Sequence, residues 1–279
     1  MCRFIAFVGV NDNTTKHILD NLIKALVKSS VCDPYLTKLG ARKGHNDGWG
    51  FVLISYNDHV SKEYYYRNIK PISQDEGAVN LLRKLIRQSQ DPILYGIFHV
   101  RAASPKEKVS LENTQPLRFL VENSNGFFYL AHNGLVDKWK IAKLLNLEED
   151  IVMSLSDSYH LGLYFSKNQG LNSLMNICKQ VIKGEIVKSA LNTALLHIGD
   201  SIKLYITSYY KYRDQKVHDY YKLYRYELDS LAIYSSSTMV DYYLDSELRK
   251  EWIELANGIL EKVHITESRS VNIESHRLC

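Results

Sequence analysis

Apolar runs rich in β-forming residues recur along this chain, and most of them begin or end at a polar, turn-forming cluster. Runs of this length and composition predict buried strands. Strands come first, helices follow, and strands return near the end, with hairpin-like spacings between neighbours. This order predicts an α+β fold of mainly antiparallel sheets packed with helices. Four of the runs are residues 4–8, 51–54, 93–100 and 126–131.

The segments between these runs predict helices and further strands. A helix is expected from a cap near Asn13 to about Lys28, where apolar residues recur at helical spacing. The 279 residues suit one large domain or two small ones. Because no repeat and no linker rich in proline or glycine divides them, we expect a single domain over 2–279. Helices are also predicted at 74–90, 138–147, 157–167, 171–183 and 186–197, strands at 63–67, 201–208, 220–228 and 232–236, and a short helix or turn at 247–257.

The charge balance argues against a nucleic-acid partner. The 35 lysines and arginines nearly balance 31 acidic residues, and the net charge of +4 is scattered along the chain. Residues 209–213 interleave aromatic and cationic side chains, but a tyrosine-rich strand edge explains that pattern more often than single-strand binding. No run reaches the roughly 20 apolar residues of a membrane span, and the opening run is too short for a signal peptide.

The cysteines are not spaced as metal ligands. They form no C-x-x-C pair, and His45, His99 and His132 do not combine with them at a zinc-ligand spacing. We therefore expect no metal and no cofactor, and free thiols in a reducing cytoplasm. The four cysteines are Cys2, Cys32, Cys178 and Cys279.

Polar clusters at the predicted strand ends carry the chemistry. Strand ends and the loops beside them are common places for functional sites. Each cluster alone is weak evidence, since Asn133-Gly134 is also a turn signal. Together they supply the parts of an acyl-transfer site. The clusters are Cys2, His45 to Gly50, His99 to Arg101, His132 to Gly134, and Ser156 to Ser158.

Cys2 is the candidate nucleophile. Taken alone, it is only a cysteine at the head of a strand. If Met1 is removed, however, the thiol and a free α-amine lie on one residue. An α-amino group titrates at about pH 8, so part of it is a neutral base near pH 7. That amine can take the thiol proton and later return it to a leaving group.

The other clusters offer groups that would hold an amide substrate. Asn133 has a side-chain amide N–H, and Gly134 a backbone N–H, for a developing oxyanion. Arg101 can bind a carboxylate with both arms of its guanidinium, and Asp157 can bind an ammonium. Glutamine carries a carboxylate, an ammonium and a scissile carbonyl together, so it fits this set of groups.

These motifs resemble class II glutamine amidotransferases, a branch of the N-terminal nucleophile hydrolases. The resemblance covers residues 2 to about 165. Its H-x-D-G-W-G form is similar to that of the stand-alone subgroup, which includes an ergothioneine-pathway amidohydrolase and a glutathione-degradation amidase. The matching segments, in order, are Met1-Cys2-Arg3, His45-Asn46-Asp47-Gly48-Trp49-Gly50, Phe98 to Ser104, Asn113 to Leu117, Ala131 to Gly134, and Ser156 to Ser158.

The resemblance implies a four-layer αββα sandwich and assigns roles to residues. It makes Cys2 the nucleophile, and Asn133 with Gly134 the oxyanion hole. It makes Arg101 and Asp157 the clamps on the substrate carboxylate and amine. The pocket lining would come from Gly48, Trp49, Gly50 and His132.

Several of these assignments have structural alternatives. His99 and His132 fit structural roles at strand ends better than catalytic ones, because the terminal amine already serves as the base. Trp49 fits packing better than ligand contact, and Asn113 and Gln115 fit bracing of the loop near Arg101. The chain also departs from the family's usual residues at Asn46, Ala102, Ser104 and Tyr159, which leaves open the substrate beyond its glutamyl part.

The sequence thus predicts an amidohydrolase that cleaves a γ-glutamyl amide through a thioester on Cys2. Glutamine is the nearest donor, and a γ-glutamyl peptide is the alternative. Few residues follow the late strands, so we expect no fused acceptor domain, and either a separate ammonia-accepting protein or simple hydrolysis. A homodimer is compatible with the sequence. A non-catalytic glutamine-binding protein is the competing class, and lipidation of the cysteine is the weakest alternative.

Overall fold

The computed structural model describes residues 2–57, 60–104, 107–122, 126–167 and 173–279. Within these ranges the chain forms both strands and helices. The strands are β1 Arg3–Val10, β2 Trp49–Asn57, β3 Val60–Asn68, β4 Ile93–Val100, β5 Leu117–Leu120, β6 Phe127–Val136, β7 Val187–Ile198, β8 Ile202–Ser208, β9 Leu223–Leu228, β10 Leu231–Ser236, β11 Trp252–Glu254, β12 Ile259–Ile265 and β13 Val271–Arg277. The α-helices are α1 Asn13–Val31, α2 Pro34–Lys38, α3 Glu76–Gln88, α4 Lys138–Leu145, α5 Glu149–Ser154, α6 Asp157–Lys167, α7 Leu174–Lys183, α8 Gln215–Tyr221 and α9 Ser246–Lys250.

The described strands form two antiparallel sheets. The first, sheet A, has the order β11-β9-β10-β1-β4-β2-β3, so that β1 and β4 lie near its centre. The second, sheet B, has the order β13-β12-β8-β7-β6-β5. The α+β class with antiparallel sheets is therefore confirmed.

Three apolar clusters show how the sheets and helices are layered. One cluster joins one face of sheet A to α1 and α3, and another joins one face of sheet B to α4, α6 and α7. The third contains side chains from both sheets, including those of β1, β4, β6 and β8, and lies between them. Burial of these two inner faces holds the sheets together. The order helices, sheet A, sheet B, helices is that of a sandwich.

The first helix illustrates how local signals and packing agree. Asp12 caps α1 by accepting a hydrogen bond from the Thr15 amide at 2.7 Å. Leu19, Leu22 and Leu26 recur on one face of α1 and are buried against sheet A. The predicted helix over 13–28 is confirmed and continues to Val31.

The helix predicted at 186–197 is wrong, because this segment is the long strand β7. The strand lies between β6 and β8, with Leu191 and Leu195 facing the helices and Ala194 and Leu196 facing sheet A. A strand buried on both faces lacks the alternation that marks an exposed strand. Its alanines and leucines favour helix, and the tertiary position overrides that preference.

Other boundaries also differ from prediction. The strand predicted at 220–228 starts later, because 215–221 form α8. The segment 247–257 contains α9 and the short strand β11, and the hairpin of β12 and β13 follows it. The predicted start of a helix at Leu171, as well as Met1 and Pro105, lie outside the described residues. None of the helices in the described ranges is long and apolar enough to cross a membrane.

Candidate active site

The register of sheet A brings Cys2, Arg101 and Gly48 to one end of the sheet. Val100 is the partner of Arg3 on β1 and of Trp49 on β2. One further step along the same register places Cys2 and Gly48 on either side of Arg101. The Arg101 amide indeed donates to the Gly48 carbonyl at 2.8 Å. Residues separated by 40 to 100 positions in the sequence thus meet because three strands pair.

Side-chain alternation then turns Cys2 and Asn133 towards each other. Phe4 on β1 and Ala131 on β6 both contribute to the cluster between the sheets. Since strand side chains alternate between faces, Cys2 and Asn133, two positions away, also face the space between the sheets. The Cys2 amide nitrogen donates to Asn133 Oδ1 at 3.0 Å, across 131 residues of sequence. The structure therefore brings together the predicted nucleophile and one predicted oxyanion donor.

The remaining group of Asn133 is a buried donor without an acceptor. Its Nδ2 has no hydrogen-bond partner within the described residues, although the side chain is fully buried. Asn192, its cross-strand partner on β7, has a partner for each of its amide groups. Its Nδ2 donates to the Tyr221 carbonyl at 2.5 Å, and its Oδ1 accepts from the Tyr209 amide at 3.1 Å. Buried amides are normally satisfied in this way. The free Nδ2 beside Cys2 is thus available to an oxygen atom of a ligand.

Gly134 lies inside β6 rather than in the turn that the sequence predicted. The strand continues to Val136, with an irregularity in its pairing to β7 between these two residues. A Cβ atom on Gly134 would lie 2.0 Å from the Ala190 carbonyl oxygen. Glycine is required here because β7 approaches so closely, and not because of a turn.

Arg101 is almost fully buried at the end of β4. Its Nη2 donates to Glu107 Oε1 at 2.6 Å, and its Nη1 has no partner in the described part of the chain. The guanidinium, predicted to bind a carboxylate, thus already binds one from its own chain. Glu107 is not among the residues predicted from the sequence, because nothing in its spacing marks it as a partner of Arg101.

Asp157 begins α6 and lines a cavity of about 410 Å³. Its Oδ2 accepts a hydrogen bond from the Val136 amide at 2.9 Å, which fixes it against the end of β6. The same cavity is lined by Leu135, Trp139 and Glu107. The carboxylate of Asp157 therefore lies on a space large enough for part of a small ligand.

Gly48 and Gly50 allow neighbouring backbone to lie close to the start of β2. Gly48 has a φ of +114°, and a Cβ atom there would lie 2.8 Å from the Asn68 carbonyl oxygen. A Cβ atom on Gly50 would lie 2.7 Å from the carbonyl oxygen of Gln115. Both glycines serve close backbone approach.

Trp49, which the sequence places in the pocket lining, points away from Cys2. Its ring is buried with Phe51 in the cluster between sheet A and the helices. The indole Nε1 donates to Asp75 Oδ2 at 3.0 Å. Since β2 alternates faces, a residue next to the inward Gly50 must face outward. These contacts favour a packing role for Trp49 over contact with a ligand.

His132 likewise lies on the helix side of sheet B, opposite to Asn133. Its Nδ1 is 3.0 Å from Ser158 Oγ, and its Nε2 is 3.1 Å from the Ala190 carbonyl oxygen. Burial lowers the pKa of His132 although the nearby Asp157 charge acts in the opposite direction, so the ring is neutral. His132 therefore braces the strand, and its side chain lies on the face opposite to that of Asn133. Gln115 also braces this strand, since its Oε1 accepts a hydrogen bond from the His132 amide at 2.6 Å.

His99 faces the space between the sheets, two positions before Arg101. It is fully buried, and neither ring nitrogen has a hydrogen-bond partner in the described ranges. Burial, followed by the charges of Arg101 and His45, holds the pKa of His99 well below its ordinary value. A neutral imidazole close to Arg101 adds no positive charge to the site.

A buried ion pair between Arg3 and Asp33 fixes the segment that carries Cys2, and no sequence motif marks it. Arg3 Nε donates to Asp33 Oδ2 at 2.6 Å, and both side chains are fully buried. His45 Nε2 lies 2.8 Å from the same oxygen, and Thr238 donates to Asp33 Oδ1 at 2.7 Å. The guanidinium also lies 3.9 Å from the centre of the Tyr220 ring. The position of Cys2 thus depends on contacts made by its neighbour.

Asp33→Asn should strongly destabilise the fold. Burial alone would raise the pKa of Asp33, but Arg3 and His45 offset this effect and hold it well below its ordinary value. The ionised carboxylate therefore stabilises the fold above about pH 4, and this contribution decreases as the pH falls below that value. We expect a loss of about 3–5 kcal/mol in the free energy of unfolding at pH 7.

Urea denaturation from pH 7 to pH 3 measures this effect. The difference between wild type and Asp33→Asn should shrink below about pH 4, where the unfolded wild-type carboxylate takes up a proton. Asp150→Asn, at an exposed position in α5, is the control and should change the unfolding free energy by less than about 0.5 kcal/mol. A difference for Asp33→Asn that stays constant with pH would contradict the ion-pair explanation.

No set of three histidine, cysteine or acidic side chains in the described ranges is arranged to hold a metal ion.

Comparisons with known proteins add little. A crystal structure described as that of a predicted glutamine amidotransferase from Pseudomonas aeruginosa PA01 is similar, with 12% identity and a TM-score of 0.32. The match covers 94% of this chain and 93% of that one. At this TM-score the likeness supports no conclusion about function. No protein-family model and no curated protein matches the chain.

Proposed function

We propose that this protein is an N-terminal nucleophile hydrolase that cleaves a γ-glutamyl amide through a thioester on Cys2. The observation that carries the proposal is the contact of the Cys2 nitrogen with Asn133 Oδ1 at 3.0 Å, beside a buried Nδ2 that has no partner in the described part of the chain. The ordered sequence motifs and the sandwich of two antiparallel sheets support it. The proposal includes removal of Met1, which frees the α-amine of Cys2.

In the first step the thiol attacks the amide carbonyl. The α-amine takes the thiol proton, and the C–S bond forms while the carbonyl π electrons move onto oxygen. Asn133 Nδ2 donates to that developing oxyanion, and its Oδ1 keeps the amine in place. A buried donor that is fixed before the reaction stabilises the transition state more than it stabilises the substrate.

In the second step the tetrahedral intermediate collapses. The C–N bond breaks, the protonated α-amine gives its proton to the leaving nitrogen, and ammonia or an amine departs. Water then attacks the thioester and transfers a proton to the amine. The C–S bond then breaks as the carbonyl re-forms, and the expelled thiolate takes the proton back from the α-ammonium. The glutamyl acid loses its proton to water and leaves as the carboxylate.

Two further groups would orient the glutamyl part. Arg101 would bind the α-carboxylate through Nη1, a buried donor without a partner among the described residues. Asp157 would bind the α-ammonium from the cavity that Glu107 also lines. Opposite charges at these two positions select an amino acid and fix the direction of its side chain.

A substrate panel tests the proposal. Purified protein is incubated with L-glutamine, several γ-glutamyl dipeptides and the matching α-glutamyl dipeptides, and released glutamate is quantified. Release from γ-linked but not from α-linked compounds is the expected result. Turnover of a γ-glutamyl peptide far above that of glutamine would identify a peptide amidohydrolase, and no release from any γ-linked compound would reject the function.

Arg101→Ala should act on substrate binding. The α-carboxylate loses its charged donor in both the ground state and the transition state, so KM should rise about 10- to 100-fold with little change in kcat. Arg118→Ala, on the exposed side of β5, is the matched control and should leave both constants unchanged. A lower kcat with an unaltered KM would contradict the proposed orientation of the substrate.

A further inference from the structure

We propose that Glu107 occupies the substrate-carboxylate position in the free protein, and that a substrate carboxylate binds Arg101 by displacing it. This inference rests on the proposed function, which assigns Arg101 to the α-carboxylate. It goes further because it makes Glu107 a residue that sets the affinity for substrate.

The contacts of Glu107 are those expected of a bound carboxylate. Oε1 accepts a hydrogen bond from Arg101 Nη2 at 2.6 Å, and Oε2 accepts one from the Ser104 amide at 3.1 Å. The Glu107 amide returns a bond to the Ser104 carbonyl at 3.0 Å. The Arg101 side chain is only 3% exposed, so its charge requires a nearby anion. In the free protein Glu107 supplies that anion.

The contact with Glu107 uses only one of the two terminal nitrogens of the Arg101 guanidinium. Its Nη1 is buried and has no partner within the described residues, whereas buried N–H groups are normally bonded. A carboxylate that binds a guanidinium end-on uses Nη1 and Nη2 together. An incoming carboxylate would therefore find Nη1 free and Nη2 occupied by Glu107.

The surroundings of Glu107 leave it room to move. With Ser104 it lines two cavities, one of about 400 Å³ beside Asp47 and one of about 410 Å³ beside Asp157. Its side chain is 22% exposed, so it can turn into water. Neither cavity is lined by Cys2, which is 6% exposed. Departure of Glu107 would thus open space next to Arg101 without any movement of the sheets.

For electrostatic reasons, a substrate carboxylate should replace Glu107 at Arg101 and not bind beside it. Two carboxylates at one guanidinium repel each other, most strongly where water is excluded. The measured affinity for a substrate carboxylate therefore includes the cost of breaking the Arg101–Glu107 pair. Removal of the negative charge at position 107 should increase that affinity.

Calorimetry with two ligands tests this inference. L-Glutamate carries the α-carboxylate, and L-isoglutamine carries an α-carboxamide in its place. Glu107→Gln should bind L-glutamate about tenfold more tightly than wild type does, and KM for the best γ-glutamyl substrate should fall by a similar factor. Its affinity for L-isoglutamine should change less than about twofold, because no charge competes there.

Two variants serve as controls. Glu112→Gln removes the same charge from an exposed position that lines neither cavity, and it should bind both ligands as wild type does. Glu107→Asp keeps the charge on a shorter side chain, and should give a smaller gain than Glu107→Gln. This variant also provides the test if Glu107→Gln does not fold.

The outcomes separate this inference from the proposed function. Equal or weaker binding of L-glutamate by Glu107→Gln, in a protein whose wild type hydrolyses γ-glutamyl compounds, would overturn the inference alone. Tighter binding of both ligands would also overturn it, because the effect would not depend on the carboxylate. Wild-type protein that neither binds L-glutamate nor hydrolyses any γ-glutamyl compound would overturn both.

Discussion

Cys2→Ala is expected to abolish hydrolysis of γ-glutamyl amides, with a loss of at least about 10⁴-fold in kcat, and to retain binding of L-glutamate. The substitution removes the atom that forms the thioester, and no other group in the proposed mechanism can replace it. The α-amine at position 2, Asn133 and Arg101 are all retained. Binding should therefore persist, which calorimetry with L-glutamate would show.

Two further cysteine variants make this result specific. Cys2→Ser should be slowed severely, because a hydroxyl is far less acidic than a thiol and gives up its proton less readily. Cys32→Ala removes an exposed thiol at the end of α1 and should leave kcat unchanged. Wild-type activity in Cys2→Ala would show that the nucleophile has been wrongly assigned.

Asn133→Ala is expected to lower kcat by about 10²–10³-fold with little change in KM. The free Nδ2 has no structural partner within the described residues, so its loss should affect the oxyanion more than the fold. Kinetics on the best γ-glutamyl substrate measure both constants. Thermal unfolding of the same sample shows whether the variant remains folded.

Asn133→Asp separates the two functions of this side chain. Aspartate keeps an oxygen that can accept the bond from the Cys2 nitrogen, but it has no N–H to donate and adds a negative charge. We expect it to be at least as slow as the alanine variant. Near-normal activity in Asn133→Asp would mean that Asn133 only positions Cys2, and the oxyanion role would have to be abandoned.

The sequence was sufficient to predict the fold class and to identify residues that the two sheets bring together. Apolar runs fixed β1, β4 and the start of β6, and polar residues at their ends marked Cys2, Arg101 and Asn133. Strand alternation and pairing follow from simple rules once these runs are located. The contact between Cys2 and Asn133 is a consequence of those rules acting in two facing sheets.

Features that depend on tertiary structure could not be predicted from the local sequence. Buried strand β7 is rich in helix-forming residues, so its local preference points to the wrong element. The faces of Trp49 and His132 follow from strand alternation, which turns them away from the faces of their sequence neighbours Gly50 and Asn133. The partners Asp33 and Glu107 carry no motif at all, because an ion pair needs only proximity in space.

The most direct test of the central claim is mass spectrometry after reaction with a glutamine analogue that bears a chloromethyl ketone in place of the carboxamide. The analogue presents an electrophile where the scissile carbonyl would lie. We expect an N-terminal peptide that starts at Cys2, lacks Met1 and carries one adduct on its sulfur, and we expect L-glutamate to prevent formation of this adduct. Retention of Met1, or inactivation by an adduct on another cysteine while the Cys2 peptide stays unmodified, would show that Cys2 is not an N-terminal nucleophile.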